Sequence, residues 1–210
     1  MSTHGQREQR SLLTDDDIFE QYARRLKATL EALDKGAIAR LARALYACWG
    51  GGNQVFLCGN GGSAGNALHL ANDYLYGMAP HGVGLRVHAL PANAAILTCL
   101  ANDVGYDAVF ATQLQTYAQP GDWVGVLSGS GNSPNVVAAL ETARALRLNT
   151  FALLGFAGGR CQALADIVVH FAIDDMQVAE DMQLIVGHML MRWLQEALRE
   201  PVAAVAEEGV

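Results

Sequence analysis

The sequence predicts a doubly wound α/β fold with a parallel sheet covered on both faces. Three observations carry that prediction. Five short apolar runs recur along the chain, almost free of charge, as strands buried on both faces are. Helical patterns separate those runs, and this alternation builds parallel strand–helix–strand units. Two of the runs lead into a serine- and glycine-rich loop followed by a helical pattern.

Residues 1–13 are polar and predict a disordered lead-in. The opening "MSTHGQREQRSLLTDDD" has no apolar core, so no signal peptide is expected. Thr14 or Asp15 caps a first helix over about 16–33, with acids early and "RRLK" later. A second helix covers about 36–49 and stops at Gly50-Gly51-Gly52. Strands are predicted at 54–58 (QVFLC), 84–90 (GLRVHAL), 122–128 (DWVGVLS), 149–155 (NTFALLG) and 166–173 (DIVVHFAI). Helices are predicted between them at 63–77, 92–102, 106–118, 133–147 and 159–165, with a long last helix at 176–198. The tail, 199–210, is predicted to fray, which leaves a single domain over 14–198.

Hydrophobic residues make up 51% of the 210 and charged residues 17%, enough apolar surface for one substantial core. No run of about 18 apolar residues occurs, so no transmembrane helix is expected. The formal net charge of −7 argues against a nucleic-acid or anionic-membrane binder, because there is no basic excess to neutralise phosphates. The four cysteines, Cys48, Cys58, Cys99 and Cys161, form no C-x-x-C pair and read as buried or partly buried thiols of a reducing cytoplasm.

Ligands of open α/β sheets bind beyond the carboxyl ends of the strands. That rule selects "GNGGS" (59–63) and "SGSGNS" (128–133). Glycine lets the backbone approach a ligand and take positive φ. The following helix start offers free N–H groups and a positive dipole end. Serine adds donors without bulk, and Pro134 suits a first helical turn. Neither loop is a G-x-G-x-x-G or carries Gly-Lys-Ser/Thr, which argues against a nucleoside triphosphatase. One such turn often only joins strand to helix; two in equivalent places point to an anionic ligand such as a sugar phosphate.

His69 and Asp73 are four apart and share a helix face. Glu180 and His188 are eight apart, about 80° around the axis, whereas Asp181 and His188 lie closer to one stripe. Taken alone, these are surface polar pairs, a core histidine and a capping acid, or else ligands for a divalent ion.

The segments "FLCGNGGSAGNALHLAND", "LANDVGYDAVFATQL", "GDWVGVLSGSGNSPNVV" and "EDMQLIVGHMLMRWL" resemble the sugar isomerase (SIS) domain family, and within it the phosphoheptose isomerase group. The resemblance covers about residues 16–198. It implies a flavodoxin-like five-stranded parallel sheet with extra N-terminal helices and a long C-terminal one. It also implies a cytoplasmic homotetramer whose active sites are shared between subunits. The implied activity is interconversion of sedoheptulose 7-phosphate and glycero-manno-heptose 7-phosphate through a cis-enediol.

The resemblance assigns Asn60, Gly61, Gly62, Asn102 and Asp103 to the sugar, and Ser128, Gly129, Ser130 and Ser133 to the phosphate. Ser63 belongs to the same ligand-facing turn, and Gly129 stands where many members have Thr. It assigns His69, Asp73, Glu180 and His188 to a divalent metal, zinc in bacterial members. Asp73 occupies a Glu position and Glu180 a Gln position. It also makes residue 73 the base and His188 the acid. Aspartate reaches one methylene less than the usual glutamate, a displacement large enough to affect rate. Some relatives are not enzymes but tetramers that bind a replication initiator and share "GNGGSA". They tend to lack the carboxylate at 73 and the histidine at 188, and both are present here. Isomerisation of another sugar phosphate is a further alternative.

Overall fold

The computed structural model describes residues 15–77 and 82–199. The lead-in 1–13, the cap candidate Thr14 and residues 200–210 of the tail lie outside the described residues. Two helices come first, α1 (Asp15–Glu31) and α2 (Lys35–Gly50), the second capped by Asp34, whose carboxylate accepts from the Ala37 N–H. The rest alternates: β1 (Gln54–Cys58), α3 (Gly62–Tyr76), β2 (Arg86–Ala89), α4 (Ala94–Asp103), α5 (Ala111–Tyr117), β3 (Trp123–Ser128), α6 (Pro134–Ala145), β4 (Asn149–Leu154), α7 (Cys161–Leu164), β5 (Ile167–His170) and α8 (Met176–Arg199).

The five strands form one parallel sheet in the order β2-β1-β3-β4-β5. This is the flavodoxin-like order, and its switch point lies between β1 and β3. Both predicted loops leave the sheet there. Strand residues alternate between two cores. Val55, Leu57, Phe151 and Leu153 face α2, α3 and α8, while Phe56, Cys58, Ala152 and Leu154 face α5, α6 and α7.

α8 lies against α3 at close range. A Cβ at Gly187 would collide with the Leu70 side chain, so glycine is what admits it. The buried Tyr74 hydroxyl donates to the Gly187 carbonyl at 3.0 Å and ties the two helices. At the other flank, Tyr22 of α1 donates to Asp181 Oδ2 at 2.6 Å and Arg25 pairs with Asp175 at 2.9 Å. Burial and the bond to Asp181 push the Tyr22 phenol up to about 12.

Several predicted boundaries shift for local reasons. The helix foreseen over 106–118 is split into a 3₁₀ turn, Tyr106–Ala108, and α5. Val109 and Phe110, both fully buried, form the junction between the two. The helix foreseen at 92 begins at Ala94 because Asn93 caps it, accepting from the Ala95 and Ile96 N–H groups. Cys48, Cys58 and Cys161 are buried thiols as predicted, whereas Cys99 is exposed on α4. Among the described residues no helix is long and apolar enough to cross a membrane.

Candidate active site

The loop after β1 turns through Gly61, whose φ of +56° is a conformation suited to glycine, and enters α3. The loop after β3 turns through Gly131, φ +64°, and enters α6 with Ser133 as N-cap and Pro134 in the first turn. Between them lies a cavity of about 240 Å³. Asn60, Gly61, Gly62, Ser63, Ser128, Gly129, Ser130 and Ser133 all line it, so these eight predicted residues converge.

Internal bonds set how the cradle presents itself. Ser128 Oγ accepts from the Gly131 N–H at 3.0 Å, and Ser130 Oγ accepts from the Asn132 N–H at 3.2 Å. The Ser133 side chain makes no capping bond to α6, which leaves its hydroxyl for a ligand. Asn60 and Asn135 exchange two amide bonds of 2.8 Å. Tyr106 Oη also donates to Asn60 Oδ1, at 2.9 Å. Asn60 therefore has its oxygen filled and one amide proton left over. Neither Tyr106 nor Asn135 was singled out from the sequence, because each acts through Asn60 across 46 and 75 residues.

Asn102 and Asp103 are not among the residues lining the cradle. They are exposed at the end of α4, with the Asn102 amide donating to Asp103 Oδ1 at 2.7 Å and the Cys99 thiol 3.5 Å from Asp103 Oδ2. At Gly129 a Cβ would meet Met176 Sδ at 2.5 Å, so Met176 fills the space that a threonine would take.

α8 forms the far wall. Met176 packs over Gly129, Glu180 over Gly62, Gln183 reaches Ser63, and His188 meets α3 at Asp73. The Nε2 atoms of His69 and His188 are 3.0 Å apart, and Asp73 Oδ2 lies 3.4 Å from the first and 3.3 Å from the second. Asp73 is the more enclosed, its side chain 24% exposed against nearly half for each imidazole. Zinc bonds of 2.0–2.2 Å to nitrogen and oxygen at tetrahedral angles put ligand atoms about 3.3–3.5 Å apart. The two spacings to Asp73 match that edge length, and the 3.0 Å between the imidazoles is a few tenths of an ångström shorter, so the donor set fits a divalent ion after a small opening of the histidine pair.

Glu180 was foreseen as a fourth ligand and stands elsewhere. Eight residues of α-helix separate it from His188 by about 12 Å along the axis. Its carboxylate lines the serine cavity over Gly62, where any Cβ would collide with it. Asp181, the other acid of that turn, is engaged by Tyr22. Asp73 and His188 line instead a second cavity, of about 380 Å³, bordered by Asn72, Tyr76, Arg192 and Gln195.

Known proteins share both the fold and the sequence. The SIS domain family model matches residues 19–155, which takes in both ligand loops; β5 and α8 follow the matched region. A phosphoheptose isomerase of Chlorobaculum parvum is 38% identical over 182 residues, 84% of this chain and 86% of that one. A phosphoheptose isomerase of Desulfovibrio desulfuricans is 36% identical over 193 residues, 90% of this chain and 92% of that one. The solved structure of a phosphoheptose isomerase from Francisella tularensis superposes with a TM-score of 0.81 at 28% identity, covering 86% of this chain and 96% of that one. The sheet order, the paired serine loops and these likenesses agree, and the chain belongs to the SIS domain family.

Proposed function

We propose that the protein is a phosphoheptose isomerase, a single SIS domain over residues 14–198 that interconverts sedoheptulose 7-phosphate and glycero-manno-heptose 7-phosphate. The observation that carries this reading is the pairing of two ligand-facing serine loops with a His–Asp–His cluster on the adjoining helices, in a chain whose relatives carry that name. The cradle takes the phosphate: serine hydroxyls and the N-termini of α3 and α6 supply donors. Glu180, facing the same cavity, accepts from sugar hydroxyls.

Aldose–ketose isomerisation moves one proton between neighbouring carbons and another between their oxygens. Asp73 is the base in this reading. Its Oδ2 is shared by both imidazoles, whereas Oδ1 meets only the Asn72 amide, at 3.4 Å, and is the oxygen free to take the carbon-bound proton. The proton returns to the adjacent carbon, so Asp73 ends as it began. His188 transfers the proton between the two oxygens. His69, Asp73 and His188 would hold a zinc ion, whose contribution is Lewis-acid polarisation of the substrate carbonyl.

The reading includes completion of the site by a neighbouring subunit, and what one chain lacks supports it. Asn102 and Asp103 lie outside the cradle, and α4, which carries them, leaves its apolar residues at most half-buried. A groove lined by Leu30, Ile38, Met189 and Trp193 is likewise apolar. A cytoplasmic homotetramer that covers these faces and lends Asn102 and Asp103 across an interface accounts for both. The test is to incubate zinc-loaded protein with sedoheptulose 7-phosphate in deuterated buffer and follow the sugar by NMR. The reading predicts an aldose product deuterated beside its carbonyl; unchanged substrate refutes it. Light scattering near 22.4 kDa, the mass of one chain, would refute the assembly.

A further inference from the structure

We infer that Gln183 holds the Ser63 hydroxyl as a one-way donor into the cradle, which suits the serine lining of the cavity, as distinct from its Glu180 carboxylate, to a ligand group made entirely of acceptors, such as a phosphoryl group. The inference rests on the phosphosugar reading above and adds a residue that acts from outside the cavity.

The argument is a chain of hydrogen-bond polarities. The backbone carbonyl of Glu180 can only accept, so the Asn66 atom 2.9 Å from it is the amide nitrogen. That nitrogen also lies 2.9 Å from one end of the Gln183 amide, which must therefore be Oε1. The other end, Nε2, is then turned to Ser63 Oγ, at 3.1 Å. An amide nitrogen has no lone pair to offer, so Ser63 Oγ accepts and its own proton is left to point away. Gln183 is 0% exposed and Ser63 is 4% exposed, so water is not there to reverse the order. The remaining direction is the cavity that Ser63 lines.

Two neighbours have the same polarity from a different source. Ser128 and Ser130 accept from the backbone N–H groups of Gly131 and Asn132, which also leaves their protons for the cavity. Three hydroxyls thus face a ligand as donors. For two of them the backbone enforces it. For Ser63 a buried side chain enforces it, and that side chain can be exchanged. Gln183 touches no ligand; it is a positioning residue.

The experiment measures inorganic phosphate binding by calorimetry and sedoheptulose 7-phosphate kinetics for wild type, Gln183→Met, Ser63→Ala and the double variant. Methionine keeps the length of the side chain and removes the donor. Gln183→Met should weaken phosphate binding about tenfold, with the loss on KM rather than kcat. In the Ser63→Ala background the same change should add nothing, because the two residues act as one unit. Wild-type phosphate affinity in Gln183→Met, or losses that multiply in the double variant, would overturn the inference. If wild type itself binds no phosphate, the cradle reading falls and the inference with it, a result distinct from either of those. Should Gln183→Met fail to fold, Asn66→Ala tests the preceding link. It frees the Gln183 amide to turn and should weaken phosphate binding about threefold, again only while Ser63 is present; an equal loss in the Ser63→Ala background overturns the inference.

Discussion

The Nε2 atoms of His69 and His188 stand 3.0 Å apart although 119 residues separate them, and Asp73 Oδ2 faces both. In the proposed mechanism both proton transfer and metal retention depend on this one carboxylate. Asp73→Asn keeps the size of the side chain and removes the charge. Isomerisation should fall about 100-fold or more, the scale of a lost general base, with phosphate binding and the melting temperature held. Solvent-deuterium incorporation beside the carbonyl reads the step directly. Exchange at the wild-type rate would remove Asp73 from the mechanism.

His188→Gln should lower both bound zinc, by elemental analysis, and isomerase rate, since the proposed mechanism gives both roles to one side chain. A variant that keeps its metal but loses activity would leave His188 an acid only.

Ser133 offers a cleaner test of the cradle than its neighbours. Its hydroxyl makes no capping bond to α6, so removing it takes little from the helix. Ser133→Ala should weaken phosphosugar binding by roughly 1–3 kcal/mol, the scale of a hydrogen bond to a charged group, while thermal unfolding is unmoved. Unchanged affinity would mean that the phosphate sits elsewhere.

Tyr106→Phe removes one of the two donors to Asn60 Oδ1 and leaves the ring in place. The Asn60–Asn135 exchange remains, so the loop keeps its path. KM should rise by about two- to tenfold with kcat held, the range of one neutral hydrogen bond. A fall confined to kcat would place Tyr106 in the chemistry instead.

Burial, and next the Asp122 charge, pushes the Cys48 thiol up from its ordinary 9.0 to about 12, and burial pushes Cys161 to about 11. The folded state therefore keeps a proton that the unfolded chain releases. The stability tied to these thiols is whole below pH 9 and is lost as pH climbs from there through about 11 and 12. The urea midpoint should fall across that window, and Cys48→Ala with Cys161→Ala should make the fall shallower. An equally steep fall in the double variant would assign it to other groups.

Much of the fold was legible because its signals are local. Continuous apolar runs such as Val55–Cys58 mark strands buried on both faces, and the serine loops are written in consecutive residues. The partnership of His69 with Asp73 follows from helical spacing. What escaped depends on helices that meet far apart in sequence. Gln183 looks like any polar residue of an amphipathic helix until Ser63, 120 residues earlier, is seen beside it. Glu180 shares a helix with His188, and the family resemblance assigned both to one ion; in the structure Glu180 faces the serine cavity instead. The break at Val109 and Phe110 was missed because each residue suits a helix, and the 3₁₀ turn that precedes them carries no local signal in the sequence.

The placing of Met176, Glu180, Gln183 and His188 along a single helix has a consequence for how the gene can change. Each of these side chains is matched to a partner on another element at a fixed height and angle. A point substitution disturbs one match. Inserting or deleting one codon between Gln183 and His188 rotates everything beyond it by about 100° and shifts it by about 1.5 Å. His188 would leave Asp73, and Gly187 would no longer lie beneath Leu70. α8 therefore tolerates replacement residue by residue while admitting no change of length, and descent with altered substrate has to proceed through its letters rather than its span.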